Sequence, residues 1–443
     1  MNKQITSFNV RLDRRQVFWF LVALIGSAAI LRLMIGYTAV HYFDLSFYVD
    51  WSAGAAQDLF DAYNQVENLD YPPLFLFPLF LTGKLMGFDA ISSFDSYAML
   101  ALKGWQMLFD LAIIPLLYCV LRREGELFGL GAAALWAVNP TIIYNSSYWG
   151  QTDCIMMFLL VLTFWLLTER KPVWAGFFMT LACLMKFQSL YFAPLFAIVL
   201  LTQSPLKKSL QTIVTGLVTA LAVFFPFMQH SGWMLPWEIY FGGFKQYPGA
   251  ALNAFNLYSA NGLNYHSADT VLIGSLTAET CSYIFIVAAL VMLVFLYFTA
   301  TEKSVWLLGF IFMQTIFLFT TRMHERYQVP VVIFALIACV YHKSKGMFAS
   351  YLALTLMTFL NHFFVLEEVF SGDEKMAWLA KFDRITVVMS YINIILYVIT
   401  VGIALRVLYR HGHYGFSHGF RSALPEKWHK RETPPPEIQT DES

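Results

Sequence analysis

The sequence predicts an all-α, polytopic membrane protein of about twelve transmembrane helices, and three observations carry that reading. Only 13% of the 443 residues are charged and 58% are hydrophobic, whereas a soluble domain carries about 25% charged residues. Apolar runs of helix length follow one another along almost the whole chain. Basic clusters fall at alternate turns between them, as the preference of Lys and Arg for the cytoplasmic side requires. Lys+Arg and Asp+Glu are equal at 29 each, so no basic excess points to a nucleic-acid partner.

Lys3, Arg11, Arg14 and Arg15 precede the run VFWFLVALIGSAAIL. The run is too long for a signal-peptide core and lacks a small-residue cleavage site, which predicts an uncleaved first span over 17–40 with residues 1–16 in the cytoplasm. The segment 41–99 is then a first extracytoplasmic loop. Within it LFLFPLFLTGKLMGF (74–88), interrupted by Pro78, is too short for a span and predicts an interfacial or re-entrant helix. Further spans are expected over 100–121, 127–140, 154–167, 173–186, 190–201, 210–227, 283–298, 305–320, 329–341, 348–365 and 385–408. Arg122, Arg123, Arg170, Lys171, Lys207, Lys208, Lys303, Lys343, Lys345 and Arg410 then all lie on the cytoplasmic side. The membrane body is 17–410, and the Pro-rich, polar tail 411–443 is expected to be cytoplasmic and disordered. Outside lie the first loop, 139–153, the long loop 228–280, 322–327 and 371–384.

Five cysteines are scattered, mostly inside apolar runs, with no CxxC or metal-ligand spacing, and so read as small core residues. No Walker loop, GxGxxG fingerprint or zinc spacing occurs, and no cytoplasmic loop is long enough for a nucleotide-binding domain. Any donor and its energy must come from the membrane.

The distinctive polar residues gather on the outer face. The first loop holds Asp44, Asp50, Asp58, Asp61, Glu67 and Asp70, which in a chain built for lipid points to chemistry at the membrane surface. Asp44 precedes Trp51 by seven residues, two helical turns, so carboxylate and indole share a face. The carboxylate could take a proton from a sugar hydroxyl while the indole packs on the sugar; alternatively Asp44 is the N-cap of the helix that follows, and the residues alone leave both open. Asp50 is the reserve candidate. Asp70 opens DYPPL, where two prolines fix the backbone and place the carboxylate to orient an acceptor or a catalytic partner rather than to act as base. Asp58, Asp61 and Glu67 read as a solvated face.

Arg322, His324, Glu325 and Arg326 crowd together on the outside, against the topological bias of positive charge. Two guanidinium groups and an imidazole suit a phosphate; the alternative is a snorkelling loop with Glu325 paired to an arginine. Lys186 would cost roughly 2.5–3.5 kcal/mol at a helix centre, so it lies near the surface or faces an anion. Tyr148, Trp149, Gln151 and Asp153 form a polar aromatic cluster, with Asp153 either capping a helix or joining a sugar or lipid-phosphate site. Arg32 is an anion contact or a snorkelling side chain, and the sequon at Asn145 is a weak match.

Asp44 with Trp51, DYPPL (70–74), YWGQTD (148–153), KFQSLYFAP (186–194) and RMHERY (322–327) together resemble, in that order over 17–330, the multi-pass GT-C glycosyltransferases. Each motif is weak alone, but five in order are specific. The likeness is to bacterial mannosyltransferase-like proteins related to the enzyme that adds the second mannose of GPI anchors, and to the ER glucosyltransferases that use dolichyl-phosphate-glucose. It implies inverting transfer of a hexose, mannose or glucose, from a polyprenyl-phosphate sugar to a lipid-linked or envelope glycan on the extracytoplasmic face. A first-loop aspartate would be the base, and the spacing to a tryptophan selects Asp44 over Asp50, although Phe43 stands where that family usually has glycine. The glucosyltransferases' VHEK segment corresponds to 323–326, with Arg326 replacing the lysine. Donor phosphate would be held by Arg322, His324, Arg326 and Lys186. Asp50, Trp51, Asp70, Tyr71, Tyr148, Trp149, Gln151, Asp153, Gln188 and Glu325 would bind donor or acceptor, Gln151 being the residue of YWGQTD that carries over from the glucosyltransferases' HFQYNS. No cofactor or metal is expected, and the protein would sit in a bacterial cytoplasmic membrane, or in the ER membrane of a eukaryote. A flippase or transporter of a lipid-linked saccharide is the alternative, needing the same cations but no base. A structural assembly factor, a third reading, would tolerate loss of all these groups.

Overall fold

A computed structural model describes residues 12–39, 41–370 and 375–410. The predicted tail 411–443 lies outside the described residues, as do most of the predicted cytoplasmic N-terminus and part of the predicted outer segment 371–384. The helices in chain order begin with α1 (Arg14–Thr38), followed in the first loop by α2 (Tyr42–Gln57), α3 (Ala62–Gln65), α4 (Leu76–Met86) and α5 (Phe88–Ser92). Then come α6 (Ser96–Leu121), α7 (Glu126–Ala137), α8 (Pro140–Ile143), α9 (Asp153–Thr168), α10 (Pro172–Met185), α11 (Ala193–Gln203) and α12 (Leu206–Ser231). The second half has α13 (Leu235–Gln246), α14 (Leu257–Ala260), α15 (Ala278–Thr299), α16 (Val305–Phe319), α17 (Val329–Tyr341), α18 (Lys345–Phe370) and α19 (Lys375–Leu408).

The protein is a multi-pass membrane protein, but the expected span number is corrected. Six helices among the described residues are long and apolar enough to cross a membrane, or seven if the pair Glu126–Ala137 and Pro140–Trp149, bent by 47°, is one span. Several runs expected as spans form shorter helices. The 16 residues of α9 reach about 24 Å at 1.5 Å per residue, short of a hydrocarbon core about 30 Å thick. α16 and α17 are buried along almost their whole length. A helix enclosed by protein is apolar all round, as a lipid-facing one is, so the two cannot be told apart by hydropathy. α1 and α12, by contrast, bury only 11% and 17% of their most apolar stretch and form part of the lipid-facing rim.

The expected interfacial helix after DYPP is present: Pro73 starts a short 3-10 turn that leads into α4. The expected outer loop 139–153 is instead largely helical. Asn139 caps α8, whose first residue is Pro140, and a π-helix (Tyr144–Trp149) carries the chain to Gly150. Gly150 has φ +82°, and a Cβ there would stand 2.5 Å from Lys103 Cγ, so only glycine lets the chain turn this closely against α6. Two short strands tie distant loops together: β1 (Ala251–Leu252) pairs in parallel with β4 (Met323–His324), joining the long loop to RMHERY. Between them in sequence, β2 (Val271–Ile273) and β3 (Leu276–Thr277) form an antiparallel hairpin.

Arg32 neither snorkels nor waits for an anion. Its Nε and Nη2 donate to the two oxygens of Asp110 at 2.7 and 3.1 Å, and Nη1 donates to the Ala137 carbonyl at 2.9 Å. Both side chains are fully buried. Asp110 also accepts from Trp136 Nε1 at 2.9 Å and from Ser146 Oγ at 2.7 Å, so one carboxylate joins α1, α6, α7 and the π-helix. Asp110→Asn leaves the Arg32 charge without its partner and is expected to cost about 3–5 kcal/mol. A lower thermal midpoint of the detergent-solubilised protein is the readout; an unchanged midpoint contradicts the pairing.

Candidate functional site

α2 starts at Tyr42, and its N-cap is His41, whose Nδ1 accepts the Asp44 backbone N–H at 3.2 Å. Asp44 is therefore not the helix cap, and its carboxylate serves something else. Trp149 Nε1 and Gln151 Nε2 donate to Asp44 Oδ2 at 2.6 and 2.7 Å. No hydrogen bond among the described residues reaches Oδ1, and the side chain keeps 23% of its surface open. The donors are themselves anchored: the Gln151 backbone N–H donates to the Asn145 carbonyl at 2.8 Å, and Gln106 Nε2 to the Gly150 carbonyl at 3.0 Å. Lys103 Nζ donates to the Ala39 carbonyl at 2.5 Å, fixing the end of α1 just before His41.

Asp44 lines a cavity of about 480 Å³, shared with Trp51, Trp149, Gln151, Asn253 and Glu325 among others. That volume is within the range of ligand sites, about 300–1,000 Å³. A second chamber of about 120 Å³ is lined by Lys186, Gln188, Tyr191, Tyr240, Arg322 and Tyr327 among others. Asp70, Tyr71, Tyr247, His324 and Arg326 line both chambers and form the wall between them.

Each cation of the smaller chamber has a carboxylate partner. Lys186 Nζ is 2.7 Å from Asp153 Oδ1, both buried; Arg322 Nη2 is 2.8 Å from Glu279 Oε1; Arg326 Nη1 is 2.8 Å from Glu325 Oε1. Arg326 also stands 5.7 Å from the Trp149 ring, a cation–π contact that links the two chambers. Donors remain beyond these pairs: Arg326 Nε is buried and has no hydrogen-bond partner among the described residues. Neither Asp153 nor Lys186 behaves as a simple surface group. Thr152 is the N-cap of α9, and Asp153 Oδ2 accepts from Asn145 Nδ2 at 3.0 Å. Asn145 is fully buried, which removes it as a glycosylation acceptor in the folded chain.

Two histidines differ from what charge alone suggests. Burial, reinforced by Arg326 and Lys186, holds the His324 imidazole well below its usual range, so it enters the site neutral rather than as a fourth cation. Burial also lowers His41 against the opposing pull of Asp44, consistent with its Nδ1 acting as an acceptor. Burial raises the Asp70 carboxyl, although Tyr247 donates to its Oδ2 at 3.0 Å.

Of the residues expected from sequence, Asp44, Trp51, Asp70, Tyr71, Trp149, Gln151, Lys186, Gln188, Arg322, His324, Glu325 and Arg326 line one or both chambers. Asp153 stands behind Lys186. Asp50 is on the exposed side of α2, and Tyr148 stacks on Tyr144; neither lines a chamber. Trp51 is buried against Phe47, Tyr48 and Tyr71, so its ring is no open platform for a sugar, but its indole N–H has no partner among the described residues. Tyr247, His41, Lys103, Gln106 and Asp110 were not expected. For the last three a signal existed: Lys103, Gln106 and Asp110 recur at intervals of three and four inside an apolar run, the spacing of one helix face. Nothing in the long loop marked Tyr247.

Residues 85–233 match the family described as dolichyl-phosphate-mannose-protein mannosyltransferase. The structure is similar to the crystal structure of ArnT from Cupriavidus metallidurans bound to undecaprenyl phosphate, with a TM-score of 0.50 and 13% identity over 88% of this chain and 77% of that one. No curated protein matches the chain. The class of protein is thus set at the level of fold: an all-α, multi-pass membrane protein similar in fold to ArnT. The family match takes in α5 to α12 and stops short of both Asp44 and Arg326.

Asp70 gives a pH-dependent prediction. Its folded-state pKa is raised, so the folded protein binds more protons than the unfolded chain, and stability falls as pH climbs from the ordinary value of 3.8 through the raised one. Asp70→Asn removes that fall. Its thermal midpoint relative to the parent is expected to rise with pH across this window and to be higher at neutral pH; a difference that does not change with pH contradicts the assignment.

Proposed function

We propose that the chain is an inverting glycosyltransferase that moves a hexose, mannose or glucose, from a polyprenyl-phosphate sugar to a lipid-linked or envelope glycan on the extracytoplasmic face. The observation that carries this reading is Asp44: a carboxylate gripped through one oxygen by Trp149 and Gln151, on a cavity whose far wall belongs to a chamber of paired cations. The likeness to ArnT, solved with undecaprenyl phosphate, and the match to a family named for a dolichyl-phosphate-mannose donor support a lipid-phosphate donor.

In this mechanism the donor phosphate sits in the smaller chamber, met by Arg322, Arg326 and Lys186 and by the N–H of neutral His324. Asp153 and Glu325 position two of those cations. The sugar lies at the shared wall beside Asp70, Tyr71 and Tyr247, with the Trp51 indole N–H and Gln188 available for its hydroxyls. An acceptor hydroxyl in the larger chamber gives its proton to Asp44, and its oxygen attacks the anomeric carbon. The bond from that carbon to the phosphate oxygen breaks, and polyprenyl phosphate leaves with the electron pair, its charge met by the cations. Nucleophile and leaving group occupy opposite sides of the wall, so the anomeric centre inverts. Asp50 and Tyr148, which line neither chamber, have no part in it.

General base catalysis contributes about 10²–10⁴-fold, so Asp44→Asn should lower kcat by about that factor with little change in the half-saturating donor concentration. Transfer near the parental rate excludes Asp44 as base. Arg326→Ala should instead raise half-saturation by the donor, on the order of tenfold for one charge-assisted contact; unchanged donor dependence removes it from the phosphate site. The cations make a metal unnecessary in this scheme, so chelator should leave turnover intact, and loss restored by manganese would contradict it. A flippase would move the lipid-linked sugar without cleaving it and would keep working as Asp44→Asn.

A further inference from the structure

The hairpin of α9 and α10 connects two places. At one end Asp153 and Lys186 pair beside the candidate site. At the other, a helix length of about 24 Å away, the turn through Arg170 and Lys171 meets the start of α12. The two helices α10 and α12 touch closely where a Cβ on Gly176 would stand 2.3 Å from Thr212 Cγ2. Their first turns border an open cleft of about 1,020 Å³.

The polar side of this cleft is Arg170, Lys171, Lys207 and Lys208; its apolar side is Trp174, Leu210 and Val214, exposed by 60%, 53% and 56%. No carboxylate lines it, and no ion pair among the described residues involves Lys171, Lys207 or Lys208. The neighbouring acid, Glu169, is bonded to Arg123. Both helices begin here without a side-chain cap and without an acidic residue in the first turn. Their positive ends and unfilled N–H groups therefore add to the lysine charge. Cations that merely decorate a solvated turn do not need an apolar wall beside them. Here that wall continues along α12, whose most apolar stretch is only 17% buried and so faces lipid.

We infer that this cleft binds the phosphate headgroup of an anionic phospholipid in the leaflet opposite the candidate site, with the acyl chains lying on Trp174, Leu210 and Val214. The charges hold the phosphate and the indole sits at headgroup depth. A free inorganic anion would satisfy the cations but leave the apolar wall unused.

The test uses the full chain in a neutral detergent, with native mass spectrometry against graded phosphatidylglycerol and phosphatidylcholine. Phosphatidylglycerol should be retained at least about tenfold better by the parent. Lys171→Gln/Lys207→Gln/Lys208→Gln should bring it down to the phosphatidylcholine level, while the corresponding triple Arg variant keeps the preference. In the parent itself the preference should shrink as salt is raised. Equal retention of the two lipids, a preference unchanged in the triple Gln variant, or one indifferent to salt overturns the proposal. So does displacement of phosphatidylglycerol by an equal concentration of inorganic phosphate, which would mark a free-anion site.

Discussion

A charge enclosed in a helical bundle within lipid needs an opposite charge and a full set of hydrogen bonds, and the Arg32–Asp110 pair is where that need sets the geometry of the candidate site. Asp110 holds Arg32 from α1, Trp136 from α7 and Ser146 from the π-helix. With the π-helix tied down, Gly150 turns against Lys103, and Trp149 and Gln151 on either side of it converge on Asp44. The carboxylate at the cavity owes its position to a second carboxylate on α6. Such a chain of contacts stiffens the donors so that Asp44 needs no rearrangement to present its other oxygen.

The smaller chamber applies the same requirement differently. Lys186, Arg322 and Arg326 are matched one to one by Asp153, Glu279 and Glu325. The pairs offset the cost of enclosing the cations while leaving little net field. The proposed recognition of a phosphate there would rest on fixed donors at short range, not on attraction at a distance. The cleft at the start of α10 and α12 is the opposite case, with lysines that no described carboxylate matches and an apolar wall on the lipid side. One chain thus carries two kinds of cationic surface: a neutralised, enclosed one suited to a single geometry, and an open one suited to abundant anionic lipid.

Much of this was legible in the sequence where composition and local spacing decide the outcome. The run expected over 100–121 is α6 with one more turn at its start, and the one expected as a span over 329–341 is a helix with those limits, α17, but enclosed by protein and not among the spans. RMHERY, KFQSLYFAP, YWGQTD and DYPPL do meet around common cavities. What depends on tertiary surroundings was not legible. Enclosed helices such as α16 read like lipid-facing spans, which inflated the expected number. The neutral state of His324 follows from burial and from cations distant in sequence. Whether Asp44 caps its helix was open until His41 was seen to take that place. Tyr247 reaches Asp70 from 177 residues away with no local pattern to announce it.

The central claim is that acceptor and leaving group act from opposite sides of the wall formed by Asp70, Tyr71, Tyr247, His324 and Arg326. The most direct measurement is the anomeric configuration of the product formed from a short-chain polyprenyl-phosphate sugar of known configuration, read by proton NMR of the new glycosidic linkage. The account predicts inversion: a β-linked donor gives an α-linked product. A product that keeps the donor's configuration would contradict it.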